Sequence, residues 1–332
     1  MDRIAVVGAG SWGTTVAAFA ARSTPTVLWA RRPELAAEMN ETRENRQYLP
    51  GLALPDGLTA TADLNTAVEG ASALVMAVPS HGFREIYTRI AEGLGEDVPV
   101  LSLTKGIEQD TLATMTQVVT ETSPRKNRSL VGVMTGPNLA SEVAAGQPTA
   151  TVIAMADRAT ARRLQDVFMG PTFRVYTHDD VVGCELGGAL KNVMAIAAGM
   201  SDGLGFGDNT RATLITRALA ELTRLGVALG GRPATFAGLA GMGDLIATCI
   251  STASRNHQVG VGLASGKSLN DVVTEMRMVA EGVKTTQAVL DLAQRSGIEM
   301  PIASHVGHVL YEGLDPKEAV LRLMTRDAKE ED

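Results

Sequence analysis

Three clusters in the second half of this chain have the residue types and spacing that chemistry requires. Lys191 stands in a helix-like stretch, residues 185–200, where Gly187, Gly188, Ala195 and Ala198 share its face, so it is the only long side chain on a face of small residues. Such a face lets a backbone or a ligand come close. A lysine aimed there is a candidate proton donor to a carbonyl oxygen, and the alternative is a tight helix contact with the lysine reaching back to water. In Gly238-Leu239-Ala240-Gly241-Met242-Gly243-Asp244-Leu245-Ile246-Ala247-Thr248, glycines precede a helix that Asp244 caps or begins, and Asp244 and Thr248 share one face. A carboxylate beside Lys191 would orient its ammonium; the plainer reading is an acidic residue favoured by the helix dipole. Ser254-Arg255-Asn256 precedes a helix-like run, 257–264, and a hydroxyl, a guanidinium and an amide at a helix start can cradle a phosphate dianion or simply cap the helix.

A fourth group opens the chain. Gly8-Ala9-Gly10-Ser11-Trp12-Gly13 follows the apolar run Ile4-Ala5-Val6-Val7 and precedes a small-residue helix, residues 14–21. Gly8 permits a tight strand-to-helix turn, Gly10 lets the backbone approach a pyrophosphate, and Gly13 lets helix and strand pack closely. After the next apolar run, Thr26-Val27-Leu28-Trp29, an NAD-specific site usually places Asp or Glu, whereas this chain reads Ala30-Arg31-Arg32-Pro33 with no acid until Glu34. Two guanidiniums there favour a 2′-phosphate, so the expectation is NADP(H) accepted and preferred, with NAD(H) usable.

The elements that must position these groups follow from apolar periodicity. Short β-branched runs at 4–7, 26–29, 74–78, 100–103, 130–134, 149–153 and 173–176 alternate in part with helix-like segments such as 83–91 and 111–122. Continuous apolar runs of this kind are parallel strands buried on both faces, which predicts an α/β, Rossmann-type doubly wound domain with a mainly parallel sheet over residues 1–180. Ligands of such sheets bind beyond the carboxyl ends of the strands, here Val78-Pro79-Ser80-His81, Leu103-Thr104-Lys105-Gly106 and Thr135-Gly136-Pro137-Asn138. From 181 to 332 the Ala-, Leu- and Gly-rich patterns at 183–200, 210–225, 269–279 and 285–296 predict an all-α C-terminal domain.

Composition removes several function classes. A net charge of −7 gives no footprint for nucleic acid or an anionic membrane, so a phosphate-bearing ligand must be held by a few local cations. No stretch of roughly 20 uninterrupted apolar residues occurs, and Met1-Asp2-Arg3 leads straight into a strand, from which no membrane insertion and a cytoplasmic location are expected. Cys184 and Cys249 lack the spacing of a disulfide framework or zinc site, and His305 with His308 falls short of the three or four ligands zinc needs, so no metal is expected.

With these stretches in view, the chain resembles bacterial NAD(P)-dependent glycerol-3-phosphate dehydrogenases. The resemblance runs through 8–13, 78–81, 103–106, Gly136-Pro137, Glu185-Leu186-Gly187-Gly188-Ala189-Leu190-Lys191-Asn192, 241–245, 254–256 and Val279-Ala280-Glu281-Gly282, and departs from the family pattern within 136–140. It implies reversible reduction of dihydroxyacetone phosphate to sn-glycerol 3-phosphate for glycerophospholipid synthesis by a homodimer. It further implies Lys191 as acid/base and Lys105 touching substrate and cofactor, with Asp244 and Thr248 completing the hydrogen-bond network. Ser254, Arg255 and Asn256 would hold the substrate phosphate, and Gly136 and Asn138 would line its pocket. Ser11, Trp12, Arg31, Arg32, Ala140, Arg255, Val279 and Glu281 would join Gly8, Gly10 and Gly13 at the cofactor. Two alternatives stand beside it: a two-domain dehydrogenase acting on a sugar acid or hydroxy acid, and a non-catalytic NAD(P)-sensing regulator.

Overall fold

A computed structural model describes residues 1–123, 127–276, 280–328 and 330. The chain divides into two compact units, Met1–Thr104 with Thr114–Val181, and Lys105–Ala113 with Val182–Asp332.

Among the described residues, the first unit is built on ten strands: β1 (Ile4–Val7), β2 (Thr26–Trp29), β3 (Glu44–Asn45), β4 (Leu49–Ala53), β5 (Leu58–Thr61), β6 (Ala73–Met76), β7 (Val100–Ser102), β8 (Val131–Thr135), β9 (Thr149–Met155) and β10 (Phe173–His178). Eight form one sheet in the order β5-β2-β1-β6-β7-β8-β9-β10, and β3 pairs with β4 apart from it. Every neighbour in the large sheet runs parallel except β8 with β9, which are antiparallel. Strands β1, β6 and β8 are buried at every residue, which is why they read as unbroken apolar runs rather than as alternation. From β1 the chain moves outward to β2 and β5, then returns to β6 on the opposite side of β1. The carboxyl end of β1 is therefore a point where strand order reverses, and residues 8–13 lie there.

The second unit is helical. Its centre is the helix Val181–Gly203, whose Leu186, Ala189, Leu190, Val193, Met194, Ala195 and Ile196 are buried. Around it lie Asp208–Ala228, Asp244–Ile250, Arg255–Ala264, Glu281–Arg295 and Pro301–Glu312, and Ile107 from the Lys105–Ala113 segment enters the same core. Val181–Gly203 and Pro233–Ile250 both have the length and hydropathy of a membrane span, with 83% and 44% of their apolar windows buried. For the first, that burial is what an all-round apolar core helix requires. Two glycines let the central helix touch Arg255–Ala264 backbone to backbone: a Cβ on Gly199 would lie 2.0 Å from the His257 carbonyl oxygen, and one on Gly260 would lie 2.1 Å from that of Ile196.

Candidate active site

In the first unit, the turn after β1 meets the demands that the glycine spacing makes. Gly8 has φ 122°, and a Cβ there would fall 2.6 Å from the Ala77 carbonyl oxygen; a Cβ on Gly13 would fall 2.0 Å from that of Gly8. Both glycines are thus required by the protein itself. Gly10 is different, because a Cβ on it would meet nothing within 4 Å. It faces open space at the start of the helix Ser11–Ala20, which no side chain caps, and this is the arrangement a dinucleotide pyrophosphate needs. Ser11 donates its hydroxyl to the Tyr48 carbonyl at 2.5 Å, and Trp12 meets Phe173 edge-on at 6.2 Å in the core of this unit. Asn45, to which no motif or spacing in the sequence points, donates to the Ala9 carbonyl at 3.0 Å and to the Thr14 hydroxyl at 2.8 Å, tying β3 to the glycine turn.

Arg31 and Arg32 are exposed just past β2, and Arg32 donates to the Gln47 side chain. At the end of β8, Gly136 has φ 144°. Asn138 donates to Thr151 Oγ1 at 2.8 Å, leaving its own buried Oδ1 without a protein partner. Ala140 begins the short helix Ala140–Ala144.

In the second unit, the small-residue face of the central helix receives a backbone. A Cβ on Gly187 would lie 2.6 Å from the Ala240 carbonyl oxygen, so the π-helical turn Leu239–Gly243 rests directly against that face. The turn delivers Asp244 as the first residue of its helix, which resolves the choice between cap and first residue. Asp244 is 1% exposed and Lys191 6%, so the lysine does not reach back to water. Lys191 Nζ lies 2.8 Å from Asp244 Oδ1, and Lys105 Nζ lies 2.6 Å from Oδ2. Thr248, one turn on, accepts a hydrogen bond from Lys191 Nζ and donates to the Asp244 main-chain carbonyl at 2.7 Å.

Lys105 and Lys191 share one carboxylate in a buried, low-dielectric site. Burial pulls the Lys105 ammonium down to about 8; Asp244 opposes that shift and the Lys191 charge adds to it. An ammonium has three N–H donors, and the contacts of Lys191 to Asp244 and Thr248 use two. The third can serve a carbonyl oxygen.

A chain of amides extends from this cluster. Asn192 donates to the Lys105 main-chain carbonyl at 3.0 Å and accepts from Asn256 at 3.0 Å, while Asn256 Oδ1 accepts the Gly282 N–H at 2.9 Å. Gly282 cannot carry a side chain here, since a Cβ would lie 2.6 Å from the Asn192 carbonyl oxygen. Adjacency to Lys191 and to Glu281 is the one sequence signal that points to Asn192 and Gly282. Ser254 is the N-cap of Arg255–Ala264, accepting from the His257 N–H at 3.3 Å. Arg255 begins that helix with an exposed side chain; desolvation lowers its pKa and the charge of Glu281 raises it. Val279 lies outside the described residues. Among the described residues, no three His, Cys, Asp or Glu side chains are grouped to hold a metal ion.

The two halves of the chain match two family models, the NAD-dependent glycerol-3-phosphate dehydrogenase N-terminus over residues 3–161 and C-terminus over residues 180–321. The chain belongs to this glycerol-3-phosphate dehydrogenase family. It is 51% identical over 331 residues to the glycerol-3-phosphate dehydrogenase [NAD(P)+] of Geobacter sp. (strain M21), covering 99% of each chain. It is 55% identical over 304 residues to glycerol-3-phosphate dehydrogenase [NAD(P)+] 2 of Sphingopyxis alaskensis, covering 92% of this chain and 90% of the relative. The crystal structure of glycerol-3-phosphate dehydrogenase from Coxiella burnetii superposes with a TM-score of 0.92 at 38% identity, covering 98% of this chain and 99% of that one. Two groups of the residues carrying the resemblance are placed by the two units. Lys105, Lys191, Asp244 and Thr248 touch one another in the helical unit, with Asn256 linked to them through Asn192. Gly8, Gly10, Ser11, Trp12, Gly13, Arg31, Arg32, Gly136, Asn138 and Ala140 belong to the α/β unit.

Proposed function

We propose that this chain reversibly reduces dihydroxyacetone phosphate to sn-glycerol 3-phosphate with NADP(H) or NAD(H), supplying the backbone of glycerophospholipids. The observation that carries the reading is the buried Asp244 carboxylate held between Lys105 and Lys191. A bound nicotinamide would supply the hydride for the ketone carbon. The turn at Gly8, Gly10 and Gly13, with Ser11, Trp12, Arg31, Arg32, Ala140, Val279 and Glu281, would hold that cofactor, and the open space at Gly10 suits its pyrophosphate.

Lys191 delivers a proton from Nζ to the carbonyl oxygen as that oxygen gains charge, and a solvent proton replaces it once product has left the site. Asp244 and Thr248 aim the ammonium, and Lys105 adds a second positive charge beside the developing alkoxide. Arg255, Ser254 and Asn256 hold the phosphate, and Gly136 and Asn138 are the substrate contacts proposed from the α/β unit, the buried Asn138 oxygen having no protein partner. The reading includes a homodimer in the cytoplasm, supported by family membership and tested by sedimentation and cell fractionation.

The deciding experiment follows loss of NADPH absorbance in the near ultraviolet on addition of dihydroxyacetone phosphate, beside a panel of sugar acids and hydroxy acids. Turnover of the phosphate ester above the panel is the expected result. Turnover of an acid instead would assign Arg255 to a carboxylate, and nucleotide binding without turnover on any ketone would leave a regulator.

A further inference from the structure

Two residues past Arg255, His257 is buried at 3% exposure, and its Nε2 lies 2.8 Å from Oδ2 of Asp202. Asp202 is near the end of the central helix, eleven positions beyond Lys191, or about 16 Å along the axis at 1.5 Å per residue. Its other oxygen accepts from Arg211 Nε at 3.2 Å and Nη2 at 3.0 Å, and Arg211 also pairs with Asp208 at 2.8 Å. One rigid helix therefore carries the proton donor and an anchored carboxylate. A second carries Arg255 at its start and the imidazole that meets the carboxylate.

The glycine contacts at Gly199 and Gly260 set how closely the two helices approach, and the Asn256–Asn192 bond ties them ten positions before Asp202 on the central helix. The His257–Asp202 bond is a second, separated tie, and together the two oppose the rotation that would swing the guanidinium of Arg255 away from its place. Nothing in the proton-transfer cluster uses His257.

We infer that His257, held by Asp202, is a positioning residue that fixes Arg255 relative to Lys191 and so sets the selectivity of the site for a phosphorylated three-carbon ketone over its unphosphorylated counterpart. The inference rests on the phosphate reading of Arg255. Removing the imidazole leaves Asp202 paired with Arg211, so the variants keep that carboxylate neutralised.

The test compares dihydroxyacetone phosphate with dihydroxyacetone as substrates of wild type, His257→Leu, His257→Gln and Asp202→Asn. In His257→Leu the specificity constant for the phosphate ester falls about tenfold or more through KM, with kcat held, while that for dihydroxyacetone stays within about twofold. His257→Gln, which keeps a donor, recovers most of the loss, and Asp202→Asn, which weakens the same bond from the other side, shifts the ratio in the same direction. An unchanged ratio in both His257→Leu and Asp202→Asn, or equal losses on both ketones, overturns the inference. A wild-type enzyme with no preference for the phosphate ester instead overturns the phosphate reading beneath it.

Discussion

Lys191 and Asp244 form a buried ion pair, Nζ to Oδ1 at 2.8 Å, across two helices that meet where Gly187 has no side chain. Because the same carboxylate also pairs with Lys105, its charge is shared between two ammoniums. Asp244→Asn keeps the shape and removes that charge, so turnover should drop on the order of 100-fold, the scale of a disabled proton donor. NADPH affinity, measured by fluorescence titration, should stay near that of wild type, since the glycine turn lies in the other unit. Equal losses in both would assign Asp244 to cofactor binding.

Lys105 gives the enzyme an alkaline limit. Its folded pKa of about 8 means that its positive charge is present below that pH and lost above it, so the specificity constant for dihydroxyacetone phosphate should decline as pH rises past about 8. Lys105→Arg stays charged throughout this range and should abolish that limb, even at lower absolute activity. A limb that persists in the arginine variant assigns it to another group.

Glu221 makes stability depend on pH in the opposite sense from most carboxylates. Burial raises it from 4.5 to about 7, against the Ile302 and Ala303 N–H groups that donate to it and the charges of Arg224 and Arg326. Between those values the folded chain holds more protons than the unfolded one, so its contribution is fully present below about 4.5 and is lost as pH rises through 7. The wild-type Tm should therefore fall from pH 5 to 7.5 relative to that of Glu221→Gln, by roughly 2–4 °C for each kcal/mol involved. Parallel Tm curves would remove Glu221 from the linkage.

Gly282→Ala should damage the amide chain rather than the proton donor. The new methyl would lie 2.6 Å from the Asn192 carbonyl oxygen and 2.8 Å from Asn256 Oδ1. Crowding of this kind costs about 1–3 kcal/mol, visible as a lower Tm, and should raise KM for the phosphate ester more than it lowers kcat. Wild-type values of both would mean that the segment shifts without consequence.

Cofactor preference is tested at Arg31 and Arg32. The NADPH-to-NADH ratio of specificity constants should exceed one in wild type and collapse in the Arg31→Ala/Arg32→Ala variant. Gln47, which accepts from Arg32, would have to yield that guanidinium to a 2′-phosphate, so Arg31→Ala alone should have the larger single effect. A ratio that the double variant leaves alone would show that neither arginine reads the phosphate.

The large sheet was legible wherever burial on both faces forces an unbroken apolar run, as in β1, β6 and β8. Strand β5, Leu-Thr-Ala-Thr at the sheet edge, and the β3–β4 pair are short and half exposed, and they left no such signal. The flat face around Lys191 was visible as spacing, but its neighbour, the Ala240 backbone, was not, because main-chain contacts write only glycine into a sequence. Ser254 allows a cap or a phosphate ligand in the sequence, and the structure shows the cap: its oxygen accepts from the His257 N–H, which leaves the hydroxyl proton able to donate. Asn192, Asn256 and Gly282 are 64 and 26 positions apart in turn, so only the folded chain brings their amides into line.

The Lys105–Ala113 segment has an evolutionary consequence. A recombination event that exchanged everything upstream of Val182 would replace Lys105 and the core residue Ile107 along with the nucleotide-binding turn, giving Asp244 and the helical core unfamiliar partners. Hybrids of this architecture therefore need matched parents or a second crossover around the segment, which ties the inheritance of the proton-transfer cluster to that of the α/β unit.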